Sequence, residues 1–421
     1  MKLAMLLKKL RAVQAVAETG NTVSAASRLH LSQSAVVRSV QDVEAAIGCD
    51  IFERSARGMH PTPSGRQISK RIGRTLDLLT QADRHKLNAR EESASPMAWH
   101  ESRLASSVSF RHLQAFLTLK NTATLKHAAA ELGVSLSAVH QTLNQLEHLA
   151  GQTFYHRGQN GIRLTEPGER AERFFKLALA ELAQADEEIS ALRGDLRARI
   201  VIGTLPFSTG LFLPQALESV ISHYPGLQVT VIDGTYESLL HKLRHAEIDL
   251  LVGALRKQSP FPDVMQHALF EDPLCVVGRI DHPLGQRKLE GLRDLIHAPW
   301  IMPMPGTPAQ MAFDEAFQAE GLSPPAAGLR VNSPVLIQAL LSASDRIALM
   351  PSRQAHQEVL TGHLSILPIT ICHAPRLVGI TTRQGYLPSP ASQMLLEQAH
   401  KIAKSLQIDD RNFFKSSKTH I

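Results

Sequence analysis

The stretch AASRLHLSQSAVVRSVQDVEAAIG at residues 25–48 recurs in altered form as AAAELGVSLSAVHQTLNQLEHLAG at residues 128–151. The second stretch lies 103 positions after the first, and the two align without a gap. One chain therefore carries the same short pattern twice. The chain is also long enough for further domains, because 421 residues are too many for one ordinary core and predict two to four domains.

The first repeat has the pattern of two helices joined by a tight turn. Apolar residues share one face of each helix: Ala25, Ala26 and Leu29, then Val36, Val40 and Val43. His30 and Leu31 would form the turn between them. Ser32 is a good N-cap for the second helix, and Gly48 ends it. An amphipathic helix precedes this pair, and the glycine and proline of residues 54–62 predict a hairpin, or wing, after it.

The second repeat predicts the same order of elements. Its three helices carry apolar residues at matching positions: Leu113, Phe116 and Leu119, then Ala128, Ala129 and Leu132, then Val139, Leu143 and Leu146. Gly133 supplies the turn, Ser135 caps the third helix and Gly151 closes it. Residues 157–165, RGQNGIRLT, would form the wing. The sequence thus predicts two helical units, each with a wing.

Polar side chains at the start of each third helix fit a DNA major groove. Such a helix can enter the groove, which is about 12 Å wide, and place its N-terminal side chains on base edges. With basic residues of the wings, the predicted DNA-binding residues are Ser32, Gln33, Ser34, Arg38, Arg54, Arg57, Ser135, Ser137, His140, Gln141, Arg157 and Arg163. The alternative is a pair of helical packing units that make protein contacts, since a bare helix-turn-helix pattern is a weak signal.

The distribution of charge favours the DNA interpretation. The chain has a formal charge of +6, and residues 1–90 hold 15 Lys and Arg against 7 Asp and Glu. Residues 201–300 hold 8 against 11. A basic front and a mildly acidic middle are what a nucleic-acid-binding arm on a separate ligand domain would show. Double-stranded DNA is therefore the predicted partner of the first half of the chain.

The spacing of the repeats follows one pattern: small-Ala, Leu, Ser-Gln, Leu-Glu, Leu-Gly, Phe-x-Arg, Thr and Gly. The first repeat meets it with Ala25, Ala26, Leu29, Ser32, Gln33, Val43, Glu44, Ile47, Gly48, Phe52, Arg54, Thr62 and Gly65. In this it resembles the winged helix-turn-helix of LysR-type transcriptional regulators. The second repeat departs at Leu136, where the pattern has Gln, and His140 and Val37 stand at the usual Ser. The family normally has one such domain, so the duplication leaves open which copy reads DNA.

Two long helices are predicted to follow the repeats. The first ends in a polar stretch, residues 90–107, that is typical of a flexible joint. In the second, apolar residues recur in steps of four and three: Ala171, Phe175, Ala178, Leu182, Ala185, Ile189 and Leu192. This heptad seam predicts pairing with another helix, with packing against its own domain as the alternative. The resemblance implies a dimerising linker helix here, and hence a homodimer or homotetramer.

From residue 199 onward, buried strand signals such as RIVIGT, LQVTVID and DLLVGA alternate with helices. This alternation predicts an α/β fold with a mostly parallel sheet. The resemblance implies a two-lobed, periplasmic-binding-protein-like effector domain, with crossovers near residues 271–274 and 368–376. Lobe I would comprise residues 197–271 and 374–405, and lobe II residues 272–373.

The predicted fold class is therefore α/β with an all-α-rich N-terminal part. The predicted segments are two tandem winged helix-turn-helix domains at 1–66 and 108–168, linker helices at 67–107 and 169–196, the effector domain at 197–405 and a tail at 406–421.

A small-molecule site is predicted in the cleft between the lobes. In two-lobed α/β sensors the ligand lies at the carboxyl ends of strands, where helices begin. The residues at three such junctions are Phe207, Ser208, Thr209, Gly306, Thr307, Asn332 and Ser333. Hydroxyls and free N–H groups at helix starts favour an anionic or richly hydroxylated ligand, and the resemblance implies a metabolite such as a carboxylate or sugar acid. The alternative is that each of these residues only caps its helix.

Other classes of function find no support in the sequence. It has no G-x-S-x-G elbow, phosphate-binding Gly-rich loop, C-x-x-C or H-E-x-x-H, so no catalytic residues, metal or cofactor are expected. His241 and His245 have the i, i+4 spacing of a metal pair but lack an evident third ligand, which favours a solvated helix face. Three scattered cysteines, with no apolar run of about 18 residues and no signal peptide, predict a cytoplasmic protein without membrane contact. RNA polymerase would be a further partner of such a regulator.

Overall fold

The computed structural model describes residues 2–55, 58–83, 97–158, 161–192, 198–207, 212–259, 261–325, 328–369, 371 and 376–416, with side chains up to residue 406. The chain forms two compact units, residues 1–197 and residues 198–421, here termed the tandem unit and the C-terminal unit. Within the described ranges, every helix is too short or too polar to cross a membrane.

The tandem unit contains the same elements twice. The first repeat consists of α1 (Lys2–Met5), α2 (Leu7–Thr19), α3 (Thr22–Leu29), α4 (Gln33–Ile47), β1 (Phe52–Ser55), β2 (Gly58–Pro61) and α5 (Pro63–Asp83). The second consists of α6 (Arg103–Ser107), α7 (Phe110–Thr122), α8 (Leu125–Leu132), α9 (Leu136–Ala150), β3 (Tyr155–Gly158), β4 (Gly161–Leu164) and α10 (Glu166–Leu192). In each repeat the two strands pair as an antiparallel hairpin. In the described residues, both repeats contain helices and a hairpin in the predicted order.

The two repeats agree down to single hydrogen bonds. The Glu44 carboxylate accepts the N–H of Ile51 at 2.8 Å, and Glu147, at the equivalent position, accepts the N–H of Phe154 at 2.7 Å. A Cβ added to the glycine that follows each wing would lie within 2.0 Å of the carbonyl oxygen of Ile51 or Phe154, so both positions, Gly65 and Gly168, require glycine. These shared pattern residues therefore build the fold and are not free to contact a ligand.

Both repeats share one hydrophobic core, so the separate domains predicted at 1–66 and 108–168 form one compact body. The predicted flexible joint is wrong for residues 97–107, which pack into this core. Trp99 and Leu104 are buried, and the Trp99 indole N–H donates to Glu18 at 3.0 Å. The polar composition hid these apolar anchors. Residues 90–96 of the joint lie outside the described residues.

The two long helices α5 and α10 pack against each other. The residues they bury are Ile68, Ile72, Leu76, Leu79 and Ala82 on α5, and Ala171, Phe175, Ala178, Leu182, Ala185 and Ile189 on α10. The heptad seam thus pairs with a helix, as predicted, but that helix belongs to the same chain. Leu192, at the end of the predicted seam, is exposed. The observed partner is the long helix of the first repeat, which differs both from a helix of a second chain and from the alternative of packing against its own domain.

The C-terminal unit contains ten strands and six α-helices in its described residues. The strands are β5 (Arg199–Thr204), β6 (Gln228–Asp233), β7 (Leu250–Ala254), β8 (Val264–Glu271), β9 (Leu274–Arg279), β10 (Trp300–Met302), β11 (Leu329–Arg330), β12 (Ile347–Pro351), β13 (Leu364–Ile366) and β14 (Leu377–Arg383). The helices are α11 (Phe212–His223), α12 (Tyr236–Arg244), α13 (Pro308–Ala319), α14 (Pro334–Ser342), α15 (Ser352–Leu360) and α16 (Pro390–Ser416), with 3₁₀ turns at Pro283–Gln286 and Leu292–Leu295.

These strands form two five-stranded sheets, in the orders β6-β5-β7-β14-β8 and β11-β10-β12-β9-β13. The chain passes between them after β8 and again before β14. The sheets are mixed and not mostly parallel, because β8, β9, β13 and β14, which flank the crossovers, pair antiparallel to their neighbours. The predicted tail at 406–421 continues α16 as far as Ser416.

Candidate DNA interface and ligand cleft

The first turns of α4 present polar side chains outward while its apolar face is buried. Gln33, Ser34 and Arg38 are exposed, and Ser32 caps the helix by accepting the N–H of Ala35 at 3.2 Å. The Gln33 amide donates to the Thr22 hydroxyl at 3.0 Å, which ties it to the start of α3. A polar, capped and solvent-facing helix start is the form in which recognition helices meet DNA.

Helix α9 presents the equivalent positions with different chemistry. A shift of 103 residues brings Gln33 onto Leu136, Val37 onto His140 and Arg38 onto Gln141. Leu136 is 52% exposed, although it is a large apolar residue. Gln141 is exposed and His140 half-buried, and Ser135 and Ser137 are also exposed. The starts of α4 and α9 are thus exposed at equivalent positions, but their side chains differ in polarity and charge.

Positive charge lies close to both helices. The wing residues Arg54, Arg157 and Arg163 are exposed, whereas Arg57 lies outside the described residues. A groove beside α9 is lined by Lys8, Ser107, His112, Ser137, His140 and Gln141. Burial lowers the pKa of His112, and the charges of Lys8 and Arg11 lower it further. Lys8 is exposed and comes from the first repeat, whereas Arg11 is buried. Both repeats therefore contribute side chains to this groove, and Lys8 offers a cation for a phosphate.

The C-terminal unit contains a cleft of about 230 Å³ that both of its sheets line. Its walls are mostly apolar and include Pro206, Phe207, Ile301, Met302, Met304, Val331, Ile337 and Leu349. A small pocket with apolar walls and a few polar groups is the usual form of a small-molecule site. The polar groups therefore decide which ligand class fits.

Two arginines and a tyrosine supply that polarity. The Arg256 guanidinium lies 4.1 Å from the centre of the Tyr236 ring, and no salt bridge to it occurs among the described residues. Burial lowers the pKa of Arg256 and that of Arg376. The charge of Asp272 raises the pKa of Arg376 and the charge of Arg256 lowers it, but burial has the largest effect. The Tyr236 hydroxyl is buried without a hydrogen-bond partner in the described part of the chain. Arg376 is paired with Asp272, and the charge of Glu237, which also lines the cleft, acts on Arg256. The Arg256 guanidinium, without a salt bridge within the described ranges and beside an unsatisfied hydroxyl, still offers donors that favour an anionic ligand.

Protein-family models match both the tandem unit and the C-terminal unit. The model described as "Bacterial regulatory helix-turn-helix protein, lysR family" matches residues 7–66 and again residues 110–169. The model described as "LysR substrate binding domain" matches residues 193–403. The chain belongs to the LysR family. It is a sequence-specific DNA-binding transcriptional regulator with an effector-binding domain, and regulators of this type are not enzymes.

Relatives of this LysR-type regulator differ in length. The HTH-type transcriptional regulator GalR of Pseudomonas putida is 30% identical over 390 residues, which cover 93% of this chain and 95% of GalR. PcaQ of Agrobacterium fabrum is 27% identical over 301 residues, covering 96% of PcaQ but only 71% of this chain. The extra length relative to PcaQ is therefore largely present in GalR.

Solved LysR-type structures share the fold. A full-length, singly substituted OxyR from Pseudomonas aeruginosa superposes with a TM-score of 0.53 at 20% identity, over 70% of this chain and 95% of that one. CbnR, a LysR family transcriptional regulator, gives a TM-score of 0.50 at 18% identity, over 70% and 99% of the two chains. At these identities the likeness concerns the fold alone.

The predicted effector residues are placed unevenly. Phe207, Thr307 and Asn332 line the cleft. Gly306 adopts a left-handed turn (φ +72°) beside it, and Ser333 caps α14. Ser208 and Thr209 lie outside the described residues. Thr307 also caps its helix by accepting the N–H of Gln310 at 3.2 Å, so the capping role and the lining role coincide in one residue.

Sequence reasoning missed Arg256, Arg376 and Tyr236. Arg256 and Arg376 are 120 positions apart, and only the pairing of β7 with β14 brings their strands together. The usable signal was an arginine two residues after one buried strand and another directly before a second buried strand. Antiparallel pairing brings these two strand ends to the same edge of the sheet. His241 and His245 stack at 4.0 Å, and His245 is buried, so the predicted solvated face is wrong for His245. No group of metal ligands occurs among the described residues.

Proposed function

We propose that both repeats bind double-stranded DNA, with α4 and α9 as recognition helices and the wing arginines on phosphates. The observation that carries this is the match between the repeats: each third helix is capped by serine and exposes polar residues at two equivalent positions, Ser34 and Arg38 in α4 and Ser137 and Gln141 in α9. Acting on DNA, the protein would work in the cytoplasm.

Salt-dependent DNA binding tests this function. Anisotropy with a labelled duplex library should give an affinity that falls steeply with salt, because each phosphate contact releases counterions. Arg38→Ala and Gln141→Ala should each weaken specific binding by about 1–3 kcal/mol. Lys257→Ala, which removes an exposed cation from the C-terminal unit, is the matched control. Affinity that no salt or recognition-helix change alters would favour protein contacts instead.

We further propose that the effector is a carboxylate with a compact, largely apolar body. Arg256 would bind the carboxylate, the Tyr236 hydroxyl would donate to it, and the apolar walls would cover the rest of the molecule. A sugar acid shares the carboxylate but has fewer apolar atoms to bury against these walls. Binding there would change the affinity for the operator.

Neighbouring residues offer a matched pair for testing the effector site. A panel of aromatic, aliphatic and sugar carboxylates, each with its neutral amide, can be screened by the thermal shift of the full chain. Carboxylates should raise the Tm and their amides should not. Arg256→Met should abolish the shift, whereas Lys257→Met, which removes the adjacent exposed cation, should retain it. Amides that bind as well as acids would show that charge does not select the ligand.

Assembly and transcriptional outcome complete the proposal. The predicted homodimer or homotetramer would form through surfaces other than the seam of α10, since α5 fills that seam in the same chain. Contact with RNA polymerase would make the protein an activator, and occlusion of a promoter would make it a repressor. Run-off transcription with purified polymerase, with and without the identified carboxylate, separates these outcomes.

A further inference from the structure

The contacts that join the two repeats are reciprocal. Helix α1 of the first repeat contacts α10 of the second, and α6 of the second contacts α5 of the first. Likewise α2 contacts α6, and its equivalent α7 contacts α1. These contacts therefore come in pairs, in which the second contact repeats the first with the two repeats exchanged. Reciprocal contacts of this kind define an isologous interface between two copies of one folding unit.

Single residues repeat this exchange. Asp83 at the end of α5 accepts the Ser102 hydroxyl at 2.6 Å and the N–H of Leu104 at 3.3 Å, at the start of α6. Asp186 on α10, 103 positions later, accepts the N–H of Leu3 in α1 at 3.1 Å. Each repeat's long helix therefore holds the other repeat's short helix. One chain contains the arrangement that two identical subunits would otherwise make.

In the described residues, the seam between the repeats is filled from within one chain. The apolar residues of α5 and α10 that face it are buried within the single chain. Arg71, also buried, bonds Glu181 at 2.8 Å and Glu188 at 2.6 Å across the same contact. The relative position of α4 and α9 is thus fixed inside one polypeptide by a packed and charge-paired interface.

The two recognition helices held in this way are not copies in chemistry. Arg38 suits guanine, whereas Gln141 at the equivalent position suits adenine. Gln33 suits adenine, and the exposed Leu136 suits the methyl group of thymine. A homodimer must present the same side chains twice, but a fused pair can diverge. The divergence lies where base edges would be read.

We propose that one chain reads one operator made of two unlike half-sites in a fixed order, with α4 on one and α9 on the other. This rests on the proposed DNA-binding function of both repeats. The tandem unit acts as a covalently fused dimer whose halves have separate sequence preferences. A larger assembly of chains would place several such units on DNA, and each unit would still contain two unlike halves.

Selection from a random-sequence duplex library with the full chain tests the proposal. The enriched motif should contain two adjacent half-sites that differ in sequence and keep one order. Arg38→Ala should relax the preference in one half-site and Gln141→Ala in the other, each by about 5- to 100-fold for the affected base pair. Lys257→Ala should leave the motif unchanged.

Conversion of one helix into the other gives the sharper test. The triple variant Gln33→Leu, Val37→His, Arg38→Gln gives α4 the reading residues of α9 and should change the motif to two like half-sites. Adjacent half-sites that are already alike for the natural chain, or that both respond to Arg38→Ala, would overturn the proposal while keeping the DNA-binding function. A response to Arg38→Ala with none to Gln141→Ala would also overturn it. Failure to enrich any motif would instead reject the proposed function.

Discussion

The charged cluster between α5 and α10 offers a quantitative test of the packing of the tandem unit. The Arg71 Nη1 donates to Glu181 at 2.8 Å and to Gln184 at 2.7 Å, and Nη2 donates to Glu188 at 2.6 Å. The Arg71 side chain is 2% exposed. Burial alone would lower its pKa, but hydrogen bonds and charges of Glu188 and Glu181 more than offset this and raise it. Arg71 is therefore charged throughout the accessible pH range.

Arg71→Met keeps the length of the side chain and removes its charge. Losing one partner of a buried ion pair costs about 3–5 kcal/mol of folding free energy, because the remaining charge is left without compensation. Glu181 keeps Arg74 at 3.0 Å, so we expect a value near the lower end, about 3 kcal/mol. Arg74→Met, the matched control on the more exposed partner, should cost under about 1 kcal/mol.

The two tryptophans let each unit be followed separately. In a Trp300→Phe background, the fluorescence of the buried Trp99 reports urea unfolding of the tandem unit in the full chain. In a Trp99→Phe background, Trp300 reports the C-terminal unit, which Arg71→Met should leave unchanged. Replacing the cluster together, as Arg71→Met with Glu181→Leu and Glu188→Leu, should recover most of the lost stability. Equal, small effects of Arg71→Met and Arg74→Met would refute the buried interface.

Three further outcomes are expected. His30 (φ +53°) occupies the left-handed turn that Gly133 (φ +66°) occupies in the second repeat, so His30→Gly should raise the free energy of unfolding by about 1 kcal/mol, and Gly133→His should lower it by a similar amount, both measured by urea titration. Burial, aided by the charge of Asp272, raises the pKa of Cys275 to about 12, so mass spectrometry should find it unlabelled by maleimide at pH 8 in the folded protein and labelled at the same pH once urea has unfolded the chain. Burial alone would raise the pKa of Glu172, but contacts with Lys120 and Lys176 lower it below its ordinary 4.5. The contribution of Glu172 to the free energy of unfolding is then full above about pH 4.5 and is lost as the pH falls further. Glu172→Gln should therefore make the free energy of unfolding fall less steeply with pH below that point.

Features set by neighbouring residues could be predicted from the sequence. Ser32 and Ser135 cap helices because a hydroxyl there accepts an otherwise free N–H, and Gly48 and Gly151 end them in left-handed conformations. The two crossovers were expected only through the resemblance to the LysR-type effector domain; Pro273 lies at the first of them, between β8 and β9.

Features set by distant residues could not be predicted. The heptad pattern of α10 requires an apolar partner but carries no information about which chain supplies it, so the fused arrangement was visible only once α5 lay against Leu182 and Ile189. The charged lining of the cleft depends on sheet pairing that joins Arg256 to Arg376. Polar composition concealed Trp99 and Leu104, whose burial turns a predicted joint into part of the core.

The most direct test of the fused arrangement is a cross-link between α5 and α10 in mixed isotopes. Arg74 lies 3.0 Å from the Glu181 carboxylate, so Arg74→Lys provides an amine that a carbodiimide can join to Glu181. Chains carrying ¹⁴N and ¹⁵N would be unfolded, refolded together, cross-linked and digested. Pairing within one chain predicts linked peptides in which both halves carry the same isotope. Linked peptides that combine ¹⁴N with ¹⁵N would show that α5 and α10 come from different chains and would contradict the account.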